Sequence, residues 1–216
     1  MTNKIIGIQG DKLDKINISS DTSIFLAHEA QKLGYKIFYY TPSNLSIIKN
    51  KTYANGVFVI LNYERKKFYK IYKKQKIDVE NFKFILIRQD PPFNSEYLIT
   101  TLILDNLKKT RVINNPVAIR NVSEKLYSKK FTKYMPDTIF SNNIEEVKKF
   151  YKQNKSIIMK PINGYGGNQI HLIKNKFNKK LITNFLKKNG HSMFQKFLKN
   201  ISKGDKRVFI INGKVC

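Results

Sequence analysis

The sequence predicts an α/β protein in two parts, an N-terminal domain on a parallel sheet and a shorter second domain with a different strand rhythm. Three observations carry this. The apolar run Lys4–Gln9, the helix-patterned stretch Thr22–Leu33 and the apolar run Tyr35–Tyr40 give strand, helix and strand in quick succession, a βαβ unit that implies parallel pairing. After Val122 the rhythm of strands and helices changes. The 216 residues are 41% hydrophobic and 12% aromatic, enough to build a core of normal size.

In order along the first part, Ser19, Ser20 and Asp21 supply N-cap chemistry for the first helix, which Gly34 stops. Leu45–Leu61 holds Asn55-Gly56 between β-rich runs, read as a hairpin turn. Tyr63–Lys76 reads as a solvated segment. Phe84–Arg88 is the most apolar strand and runs into Arg88-Gln89-Asp90-Pro91-Pro92-Phe93. Ser95 is expected to cap a helix to about Lys109, and Arg111–Asn114 to form a strand.

In the second part a helix is expected from about Ser123 to Phe131, before Pro136. Strands follow at Asp137–Ser141, Ser156–Lys160, Gln169–Ile173, Ser192–Phe197 and Arg207–Ile211, with helices at Ile144–Gln153 and Lys179–Lys188. The last strand leads into Asn212-Gly213, a strong hairpin signal, with only Lys214-Val215-Cys216 as its return. The sequence therefore reads as an interrupted domain, the alternative being a short two-strand edge that ends naturally.

Charge narrows the partners. Forty-one basic against 15 acidic residues give +26, which first suggests phosphate polymers. Only Arg65, Arg88, Arg111, Arg120 and Arg207 are arginines, however, and the lysines are dispersed among Asn, Ile, Tyr and Phe, all residues with AT-rich codons. Composition bias explains that pattern, and no nucleic-acid partner is expected. No apolar run is long enough to span a bilayer and none resembles a signal-peptide core, so no membrane partner and a cytoplasmic location are expected. The single cysteine, Cys216, leaves no internal disulfide and no thiolate-built metal site.

The richest chemical motif is Lys160-Pro161-Ile162-Asn163-Gly164-Tyr165-Gly166-Gly167. Glycines let backbone N–H groups approach an anion closely. The order lysine-then-glycines, between two strands, fits neither a Walker loop nor a dinucleotide fingerprint. It suits a flap over a triphosphate with Lys160 fixed on a strand beneath, and equally a plain glycine-rich β-turn. Lys125, in Glu124-Lys125-Leu126, opens a helix, where an exposed lysine is the commoner case. Arg88 and Asp90 follow a buried strand at the carboxyl edge of the sheet, a ligand-binding location in α/β folds and also a place for a rigid structural loop. His28, His171 and His191 lack metal-ligand spacing.

Taken in order, these motifs resemble the prokaryotic glutathione synthetase family of ATP-grasp ligases, from Lys4 to Val215. The carrying segments are Asp21-Thr22-Ser23 with Glu29-Ala30-Gln31, Arg88 to Phe93, Asn114-Asn115-Pro116 with Arg120, Glu124-Lys125-Leu126, Lys160-Pro161 with Gly164 to Gly167, and Gly204-Asp205-Lys206-Arg207. The resemblance implies a pre-ATP-grasp substrate domain over 1–122 followed by an incomplete ATP-grasp module over 123–216. It implies ATP-dependent joining of γ-glutamylcysteine and glycine through an acyl phosphate, giving glutathione, ADP and phosphate. Lys125, Lys160, Gly164, Tyr165, Gly166 and Gly167 then match the phosphate-holding positions. Gln195, Lys196, Phe197 and Leu198 match a segment whose backbone reads adenine. By the same resemblance Asp205 and Arg207 match positions lining the nucleotide and acceptor site, with Arg207 expected to stabilise transferring charge, and Arg88 and Asp90 match a loop facing the substrate.

The family also uses Mg2+ or Mn2+ and implies a homo-oligomer for the complete enzyme. After Lys125 the only acidic residues are Asp137, Glu145, Glu146 and Asp205, so the family's metal ligands are expected beyond Cys216, with none within this chain. A truncated chain with little or no ligase turnover is the resulting expectation. The rival readings are another ATP-grasp carboxylate–amine ligase, a basic nucleic-acid-binding module, and a folded remnant without function.

Overall fold

A computed structural model describes residues 4–211 and 213–215; Asn212, half of the expected Asn212-Gly213 turn, and Cys216 lie outside the described residues. The chain divides into two compact units, Met1–Val122 and Ser123–Cys216.

The first unit is a seven-stranded mixed sheet with helices. Its elements are β1 (Ile5–Gln9), α1 (Thr22–Lys32), β2 (Lys36–Tyr40), β3 (Leu45–Ile48), β4 (Lys51–Leu61), β5 (Tyr69–Asp78), β6 (Phe84–Ile87), α2 (Ser95–Asp105), β7 (Arg111–Ile113) and α3 (Pro116–Asn121). The order is β3-β4-β2-β1-β6-β7, with β5 on β4. Strands β2, β1, β6 and β7 run parallel, as the βαβ reading requires. Strands β3, β4 and β5 add antiparallel pairs, so the sheet is mixed rather than wholly parallel. Alternation along the strands gives two cores. Ile6, Ile8, Ile37, Val59 and Leu61 pack against Ile24 and Ala27 of α1, while Phe38, Tyr40, Phe58, Phe82 and Ile85 pack with Leu104 of α2 on the other face. Asp21 caps α1, accepting from the N–H groups of Ser23 at 2.6 Å and Ile24 at 2.9 Å.

Four expectations need correction here. Asn55-Gly56 is not a turn but lies inside β4; the β3–β4 turn falls at Lys49 and Asn50, both with positive φ (49° and 61°). Gly56 serves close approach instead, since a Cβ there would sit 2.5 Å from the Tyr39 carbonyl oxygen and 2.6 Å from the Phe38 ring. Much of the segment expected to be solvated, from Tyr69 onward, is β5, paired with β4 from Tyr53 to Leu61 while its side chains face water. Helix α2 is capped by the Asn94 side chain, not by Ser95. It ends at Asp105 rather than near Lys109, because the Glu80 carboxylate accepts the N–H groups of Lys108, Lys109 and Thr110 and holds them in a turn. Helix α3, which follows the Asn115 cap, had no counterpart in the sequence reading.

The second unit begins with α4 (Glu124–Tyr127), continued by a 3-10 segment to Tyr134. Then come β8 (Thr138–Ser141), α5 (Ile144–Asn154), β9 (Ile157–Pro161), β10 (His171–Ile173), α6 (Lys179–Asn189) and β11 (Ser192–Lys196). The sheet is antiparallel in the order β10-β9-β11-β8. One face, with Ile157, Met159, Ile173 and Phe194, packs on Val147 and Phe150 of α5 and on Ile182, Phe185 and Leu186 of α6. The expected strand over Arg207–Ile211 is short: only β12 (Ile210–Ile211) is strand, paired with β13 (Lys214–Val215).

Candidate functional site

The side chains that alternate with the core of the second unit define its other face. Since Ile157 and Met159 point at the helices, Ile158 and Lys160 point away; so do Met193 and Gln195 of β11 and Thr138 of β8. Gln195 stands opposite Thr138 on one side and Ile158 on the other, which puts it diagonal to Lys160. The Lys160 ammonium donates to Gln195 Oε1 at 3.2 Å, Gln195 Nε2 donates to Thr138 Oγ1 at 2.9 Å, and the Thr138 hydroxyl donates to the Pro136 carbonyl at 2.7 Å.

A second ammonium arrives from α4. Lys125 Nζ donates to the Gly164 carbonyl and lies 3.5 Å from Glu124 Oε1, its side chain only 12% exposed. The glycine-rich segment joins β9 to β10 without helix, as its sequence suggests. Gly164 turns back on Pro161, donating its N–H to that carbonyl at 3.2 Å; a Cβ there would meet Pro161 Cγ at 2.5 Å. Gly166 and Gly167 both have positive φ (59° and 72°), so the glycines are used for backbone shape as well as for bareness. Tyr165 is exposed beside them.

Lys160 holds its proton less tightly than an ordinary lysine. Half-burial is the main cause and repulsion from Lys125 the second, partly offset by Glu124. Lys125, Lys160, Gly164 and Gln195 are therefore linked, Lys125 to the Gly164 carbonyl, Lys160 to Gln195, and the two cations by their mutual repulsion.

Several other residues singled out in the sequence have partners of their own. The Lys196 N–H is bonded to the Asp137 carbonyl and the Phe197 N–H to the Ser156 carbonyl, while the Lys196 ammonium faces Asp137 at 4.0 Å. Leu198 is exposed. Asp205 and Arg207 lie in exposed coil and, among the described residues, make no side-chain hydrogen bond or ion pair. In the first unit Arg88 donates to Ser23 Oγ at 2.8 Å and Thr22 Oγ1 at 3.0 Å, fastening the loop after β6 to the start of α1. The Asp90 N–H donates to Asp11 Oδ2 at 2.8 Å. Arg88 and Asp90 thus have separate partners rather than each other.

No group of three or more His, Cys, Asp or Glu side chains is placed to hold a metal ion among the described residues, and no described helix is long and apolar enough to cross a membrane. Sequence reasoning missed Thr138 and the Gln195 side chain. The available signal was parity, since both fall on the Lys160 face once Ile139 and Phe194 are assigned to the core.

Comparison with known proteins follows the same division. Residues 5–120 match the N-terminal domain of prokaryotic glutathione synthetase and residues 124–216 its ATP-grasp domain. Curated relatives include glutathione synthetases of Mesorhizobium japonicum and of Buchnera aphidicola from Acyrthosiphon pisum. Each is 36% identical over 97% of this chain, which spans 68% and 67% of their respective lengths. Among solved structures, D-alanyl-alanine synthetase A from Vibrio cholerae aligns over 98% of this chain and 65% of its own, at 14% identity and a TM-score of 0.56. The ATP-grasp ligase PsnB, complexed with a phosphomimetic precursor variant, Mg and ADP, aligns over 99% and 70%, at 16% identity and a TM-score of 0.58.

Proposed function

Because the chain belongs to the prokaryotic glutathione synthetase family, we propose that its second unit binds ATP by the triphosphate, for ATP-dependent carbon–nitrogen ligation of γ-glutamylcysteine to glycine. The observation that carries this is that the Lys125 ammonium sits on the Gly164 carbonyl, near enough to repel that of Lys160 on the strand leading into the glycine-rich segment. Two partly desolvated like charges repel each other, and a polyanion between them offsets that repulsion.

In this reading Lys160, fixed on β9, and Lys125, on α4, neutralise phosphate oxygens, while Gly164, Tyr165, Gly166 and Gly167 close over them. The Gln195–Leu198 segment supports the base. Asp205 and Arg207, now in open coil, and the first unit's Arg88 and Asp90 are assigned to the nucleotide and substrate ends by family correspondence alone. The chemistry is transfer of the γ-phosphoryl to the cysteinyl carboxylate. The glycine amine then attacks the carbonyl carbon, the C–O bond to phosphate breaks and the amine loses its proton. The cations lower the charge cost of both steps, and a closed glycine turn keeps water from the acyl phosphate. Mg accompanies ADP in the PsnB complex, but the described residues do not fit a divalent-metal site, so no step is assigned to metal held here.

The test is ATP affinity by titration calorimetry, together with ADP release in the presence of γ-glutamylcysteine and glycine. Lys160→Ala and Lys125→Ala should each weaken ATP binding at least about tenfold, the range for charged hydrogen bonds. Unchanged affinity in both variants overturns the phosphate-binding reading. ADP release that responds to D-alanine instead of γ-glutamylcysteine and glycine overturns the substrates.

A further inference from the structure

We propose that Thr138 is a positioning residue of the nucleotide site, acting through the Gln195 amide on the Lys160 ammonium. The proposal rests on the reading that Lys160 contacts ATP.

The argument is one of hydrogen-bond polarity. A threonine hydroxyl has one proton, and that of Thr138 is given to the Pro136 carbonyl, an acceptor that can give nothing back. Toward Gln195 the hydroxyl can therefore only accept, which selects the amide nitrogen of Gln195 as its neighbour. The amide oxygen is then turned to Lys160, whose ammonium can only donate. Both ends of the chain demand the same orientation, so the Pro136 carbonyl sets, through two side chains, where the Lys160 proton-bearing nitrogen stands. Gln195 is 8% exposed, and an amide so enclosed has few other partners with which to compensate.

Strand register makes the relay rigid. Thr138 and Gln195 are opposite neighbours across β8–β11, and Gln195 is diagonal to Lys160 across β11–β9. Three adjacent strands thus contribute one side chain each to a single line along the sheet face. The line ends at the one cation whose freedom to wander would blur the site, since a lysine has four rotatable bonds and no fork to fix its direction. The Gln195 oxygen also favours the charged amine against the burial and the Lys125 repulsion that weaken it.

The experiment uses the whole chain with MgATP and two readouts: ATP affinity by calorimetry, and the titration of Lys160 itself, without nucleotide, by NMR of labelled lysine. Thr138→Val, which keeps shape and removes the hydroxyl, should weaken ATP binding about two- to tenfold and move the Lys160 titration to lower pH. Thr138→Ser should restore both. In a Lys160→Ala background Thr138→Val should add less than about twofold, because the relay then has no terminus.

An unshifted Lys160 titration in folded Thr138→Val, or an undiminished loss of affinity in the Lys160→Ala background, overturns the positioning role. Lys160→Ala with undiminished ATP affinity overturns the nucleotide reading instead, whatever the titration shows. If Thr138→Val does not fold, judged by its near-ultraviolet dichroism, Gln195→Leu takes its place in the same cycle and titration, with the same expectations.

Discussion

The Lys125 ammonium is bonded to the Gly164 carbonyl, tying the first turn of α4 to the glycine-rich turn that follows β9. A backbone oxygen thus holds a cation that the proposed function assigns to phosphate oxygens. The same contact keeps the charge of Lys125 near Lys160.

Removing the tether should loosen the turn and weaken nucleotide binding together. Lys125→Ala is expected to speed amide exchange over residues 162–168 and to lower ATP affinity by roughly 10- to 100-fold, the range for hydrogen bonds to charged groups. Exchange measured by mass spectrometry with and without ATP checks both. The Lys160 titration should also rise toward its ordinary value, because a repelling neighbour is gone.

The lowered pKa of Lys160, caused first by burial and then by Lys125, has opposite signs for stability and for binding. Between that lowered value and the ordinary 10.5, the unfolded chain keeps the proton and the folded chain has lost it. The Lys160 contribution to folding stability therefore increases as pH rises through this window. ATP needs the ammonium, so affinity should fall as pH rises through the lowered value, with proton uptake on binding. Calorimetry in two buffers of different ionisation heat measures that uptake, and Lys160→Ala should abolish it.

Glu80 is a structural carboxylate. Burial pushes its pKa up, but the N–H bonds from Lys108, Lys109 and Thr110 outweigh this and hold it below the usual value. Its contribution to stability is present above the unfolded pKa and is lost as pH falls through the folded one. Glu80→Ala should destabilise the chain by about 1–2 kcal/mol, read from urea denaturation, and should flatten the acid limb of stability against pH.

Gly56→Ala should destabilise by roughly 1–3 kcal/mol, as overpacking does. The new methyl would strike backbone as well as ring, at the Tyr39 carbonyl and Phe38. Gly167→Ala meets no neighbour within 4 Å, and its cost comes from its positive φ alone. Thermal denaturation of the pair separates crowding from backbone strain.

Periodicity made the parallel half of the first sheet and the helices α1, α5 and α6 legible, because each buries a regular stripe. It failed at β5, whose seven exposed residues in succession carry no alternation; that strand exists because β4 offers it a backbone ladder, which sequence does not display. Asn55-Gly56 misled for a related reason. The dipeptide is a turn signal only when nothing large lies across the strand, and here Phe38 and Tyr39 demanded the missing Cβ. In the site, Lys125, Lys160 and the glycines were legible as residue types in order, and the family resemblance was carried by the same residues. Thr138 was not, since its part depends on which neighbour receives one hydroxyl proton.

Strand β5 borders the first sheet and, among the described residues, pairs only with β4. Its ten residues include Lys70, Lys73, Lys74 and Lys76. An open ladder of that length invites addition of a stranger's backbone, and closely spaced ammonium groups make two such borders repel. Part of the chain's large positive surplus is thereby an insulating fringe against self-association. Lysine acetylation or concentrated salt should strip that protection and bring on aggregation before any loss of fold.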